Sequence, residues 1–209
     1  MTLIKNIVFD LGGVIIDLDR ERAVRAFEEI GVKDAGKLID PYEQKGIFLE
    51  LENGTIDATG FCEKLSSHVG RELSLEEVKK GWMGFIVGVP VYKLAYILKL
   101  RKDFKVYLLS NTNPIIQEYW ARTDRFSADG LPVSAYFDKM YASYEIGVTK
   151  PDPAIFNFMI RDTGLIPQET LFVDDGLRNV ETAEQLGFQT YQPKNKEDWR
   201  AAIDVRIGR

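Results

Sequence analysis

The chain has one histidine and one cysteine among its 209 residues, and these two shortages exclude several kinds of chemistry. With His68 alone, a Ser/His/Asp triad or a zinc site with several histidines is disfavoured. We expect His68 to be a helix residue at or near the surface. Cys62 cannot form an intramolecular disulfide, so nothing indicates an oxidising compartment, and we expect it to be a buried apolar residue. Chemistry must therefore rely on carboxylates, hydroxyls and lysine.

The sequence also lacks an excess of positive charge and any long hydrophobic run. Its 27 basic and 32 acidic side chains give a net charge of -5, which disfavours a surface for nucleic acid or anionic lipid. No apolar run approaches the roughly 18 residues that a membrane-spanning helix needs. The segment MTLIKNIVFDLGG has no small-residue cleavage site of a signal peptide. We expect a cytoplasmic protein without nucleic-acid or membrane partners, and the sequence does not indicate an oligomeric state.

What the chain does contain is a set of short apolar runs separated by helical patterns. With 45% hydrophobic and 28% charged residues, its composition is that of an ordinary folded domain. The runs are near-continuously apolar, as strands buried on both faces would be, at residues 4–11, 105–111, 139–146, 170–175 and 188–193. This alternation predicts an α/β fold with a Rossmann-like parallel sheet.

Residues 17–88 have a different pattern, in which we find no convincing strand. Apolar stripes at helical spacing recur there, and SLEE at 74–77 fits a capping box at the start of a helix. Asp17 is expected at the hinge into this segment, and Asp19 is expected to cap the helix that follows. We predict a Rossmann-like catalytic core from residues 1–16 and 89–209, with residues 17–88 inserted as a helical cap.

Polar side chains lie at or after the ends of the predicted strands. They are Asp10 at the end of the first strand, Ser110 and Asn111 at the end of the second, Lys150 after the third, and Asp174 and Asp175 at the end of the fourth. The carboxyl ends of parallel strands meet at one edge of a sheet, where ligands bind, so these groups are expected to converge. A carboxylate nucleophile, a hydroxyl, a lysine and an acid pair are the groups that phosphoryl transfer through an aspartyl phosphate requires.

Four motifs containing these residues resemble the haloacid dehalogenase-like hydrolase superfamily. They are FDLGGVIID, LLSNTN, GVTKPDPAIF and FVDDGLRNVETAEQLG, and their order and spacing agree along nearly the whole chain. The helical insert lies where this family carries its cap. The resemblance implies that Asp10 is the nucleophile that forms an aspartyl phosphate. It also implies that Lys150 is catalytic and that Ser110, Asn111 and Lys150 bind the phosphorylated substrate.

The resemblance also implies a magnesium ion at the same place. Its ligands would be the carboxylates of Asp10, Asp174 and Asp175 together with the backbone carbonyl of Gly12, all hard oxygen donors. Asn179 would orient the acidic loop. We therefore predict a magnesium-dependent phosphatase whose substrate is a small phosphorylated metabolite, a sugar phosphate.

Gly12 is a departure from the family pattern, because most of these phosphatases carry an aspartate there as general acid and base. Three explanations stay open: a metal-independent 2-haloacid dehalogenase, a protein that binds phosphorylated ligands without turnover, or a phosphatase whose leaving group needs little protonation or whose acid comes from elsewhere. We favour the third. The chain also resembles bacterial sugar-phosphate phosphatases that include an α-glucose-1-phosphate phosphatase with glycine at this position. An anomeric sugar phosphate is therefore the expected substrate.

Overall fold

A parallel sheet lies at the centre of the computed structural model, which describes residues 3–40 and 44–209. Along the described chain the strands are β1 Asn6–Phe9, β2 Asp17–Leu18, β3 Ile86–Gly88, β4 Lys105–Ser110, β5 Lys139–Ala142, β6 Thr170–Val173 and β7 Gln189–Tyr191. Five of them form the central sheet in the order β5-β4-β1-β6-β7, with every neighbouring pair parallel. The α/β, Rossmann-like fold class is confirmed.

The central strands form because their residues are buried on both faces of the sheet. Ile7, Val8 and Phe9 of β1 are fully buried. Ile7 and Phe9 belong to the apolar cluster on one face, whereas Val8 belongs to the cluster on the other. The ring of Phe9 lies 5.1 Å from that of Trp199, near the C-terminus of the chain. The alternation of side chains along β1 thus joins two apolar layers through one strand.

Helices flank the sheet and fill the segment between β2 and β3. Their bounds are α1 Arg20–Glu29, α2 Ala35–Leu38, α3 Gly46–Glu52, α4 Ala58–Val69, α5 Leu75–Met83, α6 Val91–Leu100, α7 Pro114–Ile116, α8 Ser143–Ile146, α9 Pro153–Thr163, α10 Leu177–Gln185 and α11 Arg200–Ile207. The capping box of Ser74 and Glu77 is present at α5, and Asp19 caps α1 by accepting from the backbone N–H of Arg22 at 3.1 Å. The predicted run 139–146 divides, because its second half forms α8.

Residues 17–88, called the cap segment below, contain α1 to α5. The expectation of no strand here was wrong, because β2 pairs antiparallel with β3 and joins the two ends of the segment. Strands of two and three residues are too short to give a periodic pattern. The segment has an apolar cluster of its own, centred on Phe27, Phe48 and Trp82. On these grounds we propose that residues 17–88 form a cap distinct from a core of residues 1–16 and 89–209.

His68 and Cys62, for which no catalytic role is predicted, both lie on α4. His68 is exposed, and its Nε2 lies 2.7 Å from Oδ1 of Asp34. Cys62 is partly buried rather than fully buried. Within the described ranges, no helix combines the length and the apolar character that crossing a membrane requires.

Candidate active site

The site lies at the carboxyl edge of the central sheet. Asp10 directly follows β1, and its backbone N–H donates to the carbonyl of Val173 at 2.8 Å, which ties the loops after β1 and β6 together. Ser110 is the last residue of β4, and Asp174 directly follows β6. Lys150 follows α8, beyond the end of β5. The structure thus brings residues far apart in the chain to one edge.

Lys150 is the centre of the contacts at this edge. Its Nζ lies 2.7 Å from Oδ1 of Asp10 and 2.6 Å from Oδ2 of Asp174, and it donates to the carbonyl of Leu109 at 2.8 Å. The lysine is buried. Burial opposes its charge, but the two carboxylates outweigh this effect and raise the pKa of Lys150 above its usual value. The buried ammonium therefore stays charged and holds both carboxylates in place.

Asn111 positions the lysine loop. Its Nδ2 donates to the carbonyl of Lys150 at 2.8 Å, and its Oδ1 accepts from the N–H of Lys150 at 2.7 Å. Both polar atoms of the Asn111 amide are therefore engaged with the backbone of Lys150. A role of Asn111 in binding substrate stays a prediction. Among the described residues, the hydroxyl of Ser110 makes one long contact, donating to the carbonyl of Asn111 at 3.3 Å. The Ser110 hydroxyl is therefore more available to a ligand than the Asn111 amide is.

Asp10, Asp174 and Asp175 form an acidic cluster. Each has a carboxylate oxygen within 4.8 Å of the others. Burial, with repulsion from Asp174, raises the pKa of Asp10 to about 6 against the attraction of Lys150. Burial and repulsion from Asp10 and Asp174 raise the pKa of Asp175 to about 7. Asp174 is oriented through Oδ1, which accepts from the N–H of Gly176 at 2.8 Å and from Nδ2 of Asn179 at 2.9 Å.

This cluster fits a divalent cation. Lys150 pairs with Asp10 and Asp174, and repulsion among the three carboxylates disfavours ionisation of Asp10 and Asp175 until a cation balances the charge. Hard oxygen donors suit magnesium. Gly12 lines the same cavity, and the use of its carbonyl as a ligand stays a prediction.

The glycines after Asp10 have different neighbours. Gly13 has a φ of +71°, and a Cβ there would lie 2.0 Å from Oδ2 of Asp175, so only glycine lets this loop approach the acidic cluster. A Cβ at Gly12 would lie 3.0 Å from Cδ1 of Leu18. The side chain of Leu18, at the base of the cap segment, thus occupies space next to the position where the family pattern has an acid.

A cavity of about 140 Å³ lies over this edge, lined by the cap segment as well as by the core. The lining residues from the cap segment include Trp82, Phe85 and Glu52, the last residue of α3. Burial foremost, with repulsion from Asp10, raises the pKa of Glu52 to about 8 against the attraction of Lys150. Glu52 was not among the site residues predicted from the sequence. The available signal was a carboxylate at a helix C-terminus, where the helix dipole disfavours it.

Comparisons with known proteins agree with this geometry. Residues 4–187 match the family model of the haloacid dehalogenase-like hydrolases. The chain is 53% identical to D-ribitol-5-phosphate phosphatase of Bacteroides thetaiotaomicron, over 97% of this chain and 98% of that protein. A HAD-like family hydrolase from Porphyromonas gingivalis has a TM-score of 0.94 at 46% identity, covering 100% of this chain and 99% of its own. A HAD family enzyme from Bacteroides thetaiotaomicron, crystallised with magnesium and inorganic phosphate, has a TM-score of 0.84 at 39% identity, with coverage of 96% and 99%.

These likenesses confirm three predictions, namely a hydrolase of this superfamily, a phosphatase, and magnesium as its cofactor. They extend along almost the whole chain, and the solved structures share its fold as well as its sequence. The chain belongs to the haloacid dehalogenase-like hydrolase family.

Proposed function

We propose that this phosphatase hydrolyses a small phosphate monoester by transferring the phosphoryl group first to Asp10 and then to water. The observation that carries the proposal is the contact of Lys150 with both Asp10 and Asp174 at the floor of the cavity. A carboxylate nucleophile held beside a fixed positive charge is the arrangement that splits the displacement into two easier steps.

In the first step, an oxygen of Asp10 attacks phosphorus and the ester oxygen departs. Lys150 and Ser110 hold the phosphoryl oxygens, the ammonium as a point charge and the hydroxyl as a hydrogen-bond donor. Magnesium, held by the carboxylates of Asp10, Asp174 and Asp175, would supply the charge that offsets repulsion between a carboxylate and a phosphate. Water then attacks the aspartyl phosphate, which releases phosphate and restores the Asp10 carboxylate.

For the substrate, we propose an alditol or sugar phosphorylated at a primary carbon. The support is the 53% identical relative, which is named for D-ribitol 5-phosphate, an ester without an anomeric carbon. The anomeric ester suggested by Gly12 stays the alternative. Trp82 lines the cavity, and its Nε1 has no hydrogen-bond partner among the described residues, so it is a candidate donor to a substrate hydroxyl.

A cytoplasmic location and the absence of nucleic-acid partners, supported by the acidic composition, are part of this proposal.

The test is phosphate release from ribitol 5-phosphate, glucose 1-phosphate and glucose 6-phosphate, with magnesium or with EDTA. We expect release by the wild type only with magnesium, and a loss of at least about 10³-fold in Asp10→Asn, because an amide is no nucleophile. Asp19→Asn is the matched control. It makes the same chemical change at a helix cap, where asparagine serves equally well, so activity should be retained.

The two other functions predict different outcomes. A 2-haloacid dehalogenase would release halide from 2-chloropropionate without metal, and a binding protein would retain the phosphorylated ligand without turnover. Absence of phosphate release from every ester, or equal activity of Asp10→Asn and the wild type, would overturn the mechanism.

A further inference from the structure

In the proposed phosphatase reaction, the bond from phosphorus to the ester oxygen breaks, and that oxygen, which stays bonded to its primary carbon, needs a proton. A primary alkoxide is strongly basic, so its departure depends on protonation, and general acid help is typically worth about 10²- to 10⁴-fold. Gly12 has no side chain that could donate this proton. Leu18, which approaches that position, is apolar. The proton must therefore come from elsewhere in the cavity.

Among the residues that the structure describes, four ionisable side chains line the cavity: Asp10, Glu52, Lys150 and Asp175. Asp10 is the proposed nucleophile, and Lys150 is engaged with both Asp10 and Asp174. Asp175 belongs to the acidic cluster. Glu52 is the only one of the four that comes from the cap segment, and it has none of these roles. In an in-line displacement the leaving oxygen departs on the side opposite the nucleophile. A group that reaches into the cavity from the cap segment is suited to meet that oxygen.

Glu52 is also fixed in position relative to the sheet edge. Its backbone carbonyl accepts from the hydroxyl of Ser143 at 2.6 Å, and that hydroxyl accepts from the N–H of Thr112 at 3.0 Å. Thr112 lies two residues after Ser110. The Glu52 residue is only 9% exposed, and within residues 3–40 and 44–209 no hydrogen bond to its carboxyl group is found. A buried carboxyl without a protein partner is available to a ligand.

The charge state of this group is consistent with the geometry. Burial foremost, with repulsion from the Asp10 carboxylate, raises the pKa of Glu52 to about 8, which favours its neutral form near pH 7. A neutral carboxyl can donate a proton as well as a hydrogen bond.

We propose that Glu52 is the general acid and base of the reaction. As Asp10 bonds to phosphorus and the bond from phosphorus to the ester oxygen breaks, the Glu52 carboxyl gives its proton to that oxygen, which leaves as an alcohol. The resulting Glu52 carboxylate takes a proton from the water that attacks phosphorus. The bond between phosphorus and Asp10 then breaks, and both carboxyl groups return to their starting states.

The test compares leaving groups in the Glu52→Gln variant. With ribitol 5-phosphate we expect kcat/KM to fall by about 10²-fold or more, because glutamine cannot donate the proton. With p-nitrophenyl phosphate, whose leaving oxygen is stable as an anion, we expect a fall of less than about tenfold. The ratio kcat/KM is used because it reports the first, leaving-group-dependent step, whereas kcat also contains hydrolysis of the common aspartyl phosphate.

Glu50→Gln is the matched control, because Glu50 lies on the same helix and pairs with Lys64 instead of lining the cavity. Its activity on both esters should equal that of the wild type. A similar loss on both esters in Glu52→Gln, or no loss on ribitol 5-phosphate, would overturn the role of Glu52 and leave the phosphatase mechanism intact. An inactive wild type would overturn the phosphatase mechanism, and the role of Glu52 with it.

Because glutamine has nearly the shape of glutamic acid, we expect the variant to fold, which thermal unfolding checks. A series of aryl phosphates with leaving groups of increasing pKa gives a second measurement. The rate should depend more steeply on that pKa in Glu52→Gln than in the wild type, and equal slopes would contradict proton donation.

Discussion

At the scale of single residues, two buried ionisable groups line one cavity, and one is stabilised in its charged form and the other in its neutral form. Lys150 has two carboxylate partners within hydrogen-bond distance, so its charge is retained despite burial. The Glu52 carboxyl has no such partner among the described residues, and burial favours its neutral form. The difference lies in the pairing and not in the degree of burial.

The raised pKa of Glu52 predicts a specific effect on stability. Between the ordinary value of 4.5 and the folded value of about 8, the folded state holds a proton that the unfolded state has lost. Stability from this group is thus present below pH 4.5 and is lost as the pH rises towards 8, by at most about 1.4 kcal/mol per pH unit. Glu52→Gln lacks this loss, so we expect it to become more stable than the wild type as the pH rises.

The measurement is urea unfolding of both proteins from pH 5 to 8.5 in EDTA, so that metal binding does not contribute. Asp10 and Lys150, the charged groups that act on Glu52, are unchanged in the variant. Parallel stability curves for the two proteins would mean that Glu52 is ionised in the folded state at neutral pH.

At the scale of elements, a buried ion pair lies at the base of the cap segment. Lys93 on α6 is fully buried, and its Nζ lies 3.1 Å from Oδ1 of Asp17 in β2 and 2.8 Å from the carbonyl of Val14. The indole of Trp199 donates to the same carbonyl at 2.8 Å. The start of the cap segment is therefore fixed by contacts from α6 and from the C-terminal part of the chain.

Removal of one partner of this ion pair is expected to lower the stability of the protein more than removal of both partners. Asp17→Ala leaves the buried Lys93 charge with the carbonyl of Val14 as its partner among the described residues. We expect a loss of about 2–3 kcal/mol of stability, since Asp17 itself is partly exposed. The double variant Asp17→Ala, Lys93→Met should recover most of this loss. Urea unfolding of the single and double variants checks the prediction, which a neutral Asp17→Ala would contradict.

At the scale of the whole molecule, the cap segment contacts the core through the turn after α3. Gly54 has a φ of +71°, and a Cβ there would lie 2.2 Å from the carbonyl oxygen of Tyr144. The adjoining contact is the hydrogen bond from Ser143 to the Glu52 carbonyl. This close approach of two backbones brings Glu52 to the cavity.

Gly54→Ala is therefore expected to lower activity more than stability alone would explain. The added methyl group collides with backbone that cannot move aside, so Glu52 shifts from the cavity, and we expect kcat/KM on ribitol 5-phosphate to fall by at least about tenfold. Gly70→Ala is the control, because Gly70 has a similar φ of +79° but nothing within 4 Å of its added Cβ. It should lose about 1 kcal/mol of stability and retain its activity. Equal activities of the two variants would contradict the importance of this contact.

The sequence by itself determined the five central strands, the capped helices and the set of polar residues at the strand ends. These features depend on local patterns, such as continuous apolar runs or Ser74 three residues before Glu77, that act within a few residues. Only the tertiary structure decided that Leu18 packs beside Gly12 and that Glu52 enters the cavity from the cap segment. The physical reason is that desolvation and packing depend on neighbours far along the chain. A carboxylate next to a polar turn has the same local sequence whether it faces water or a buried nucleophile.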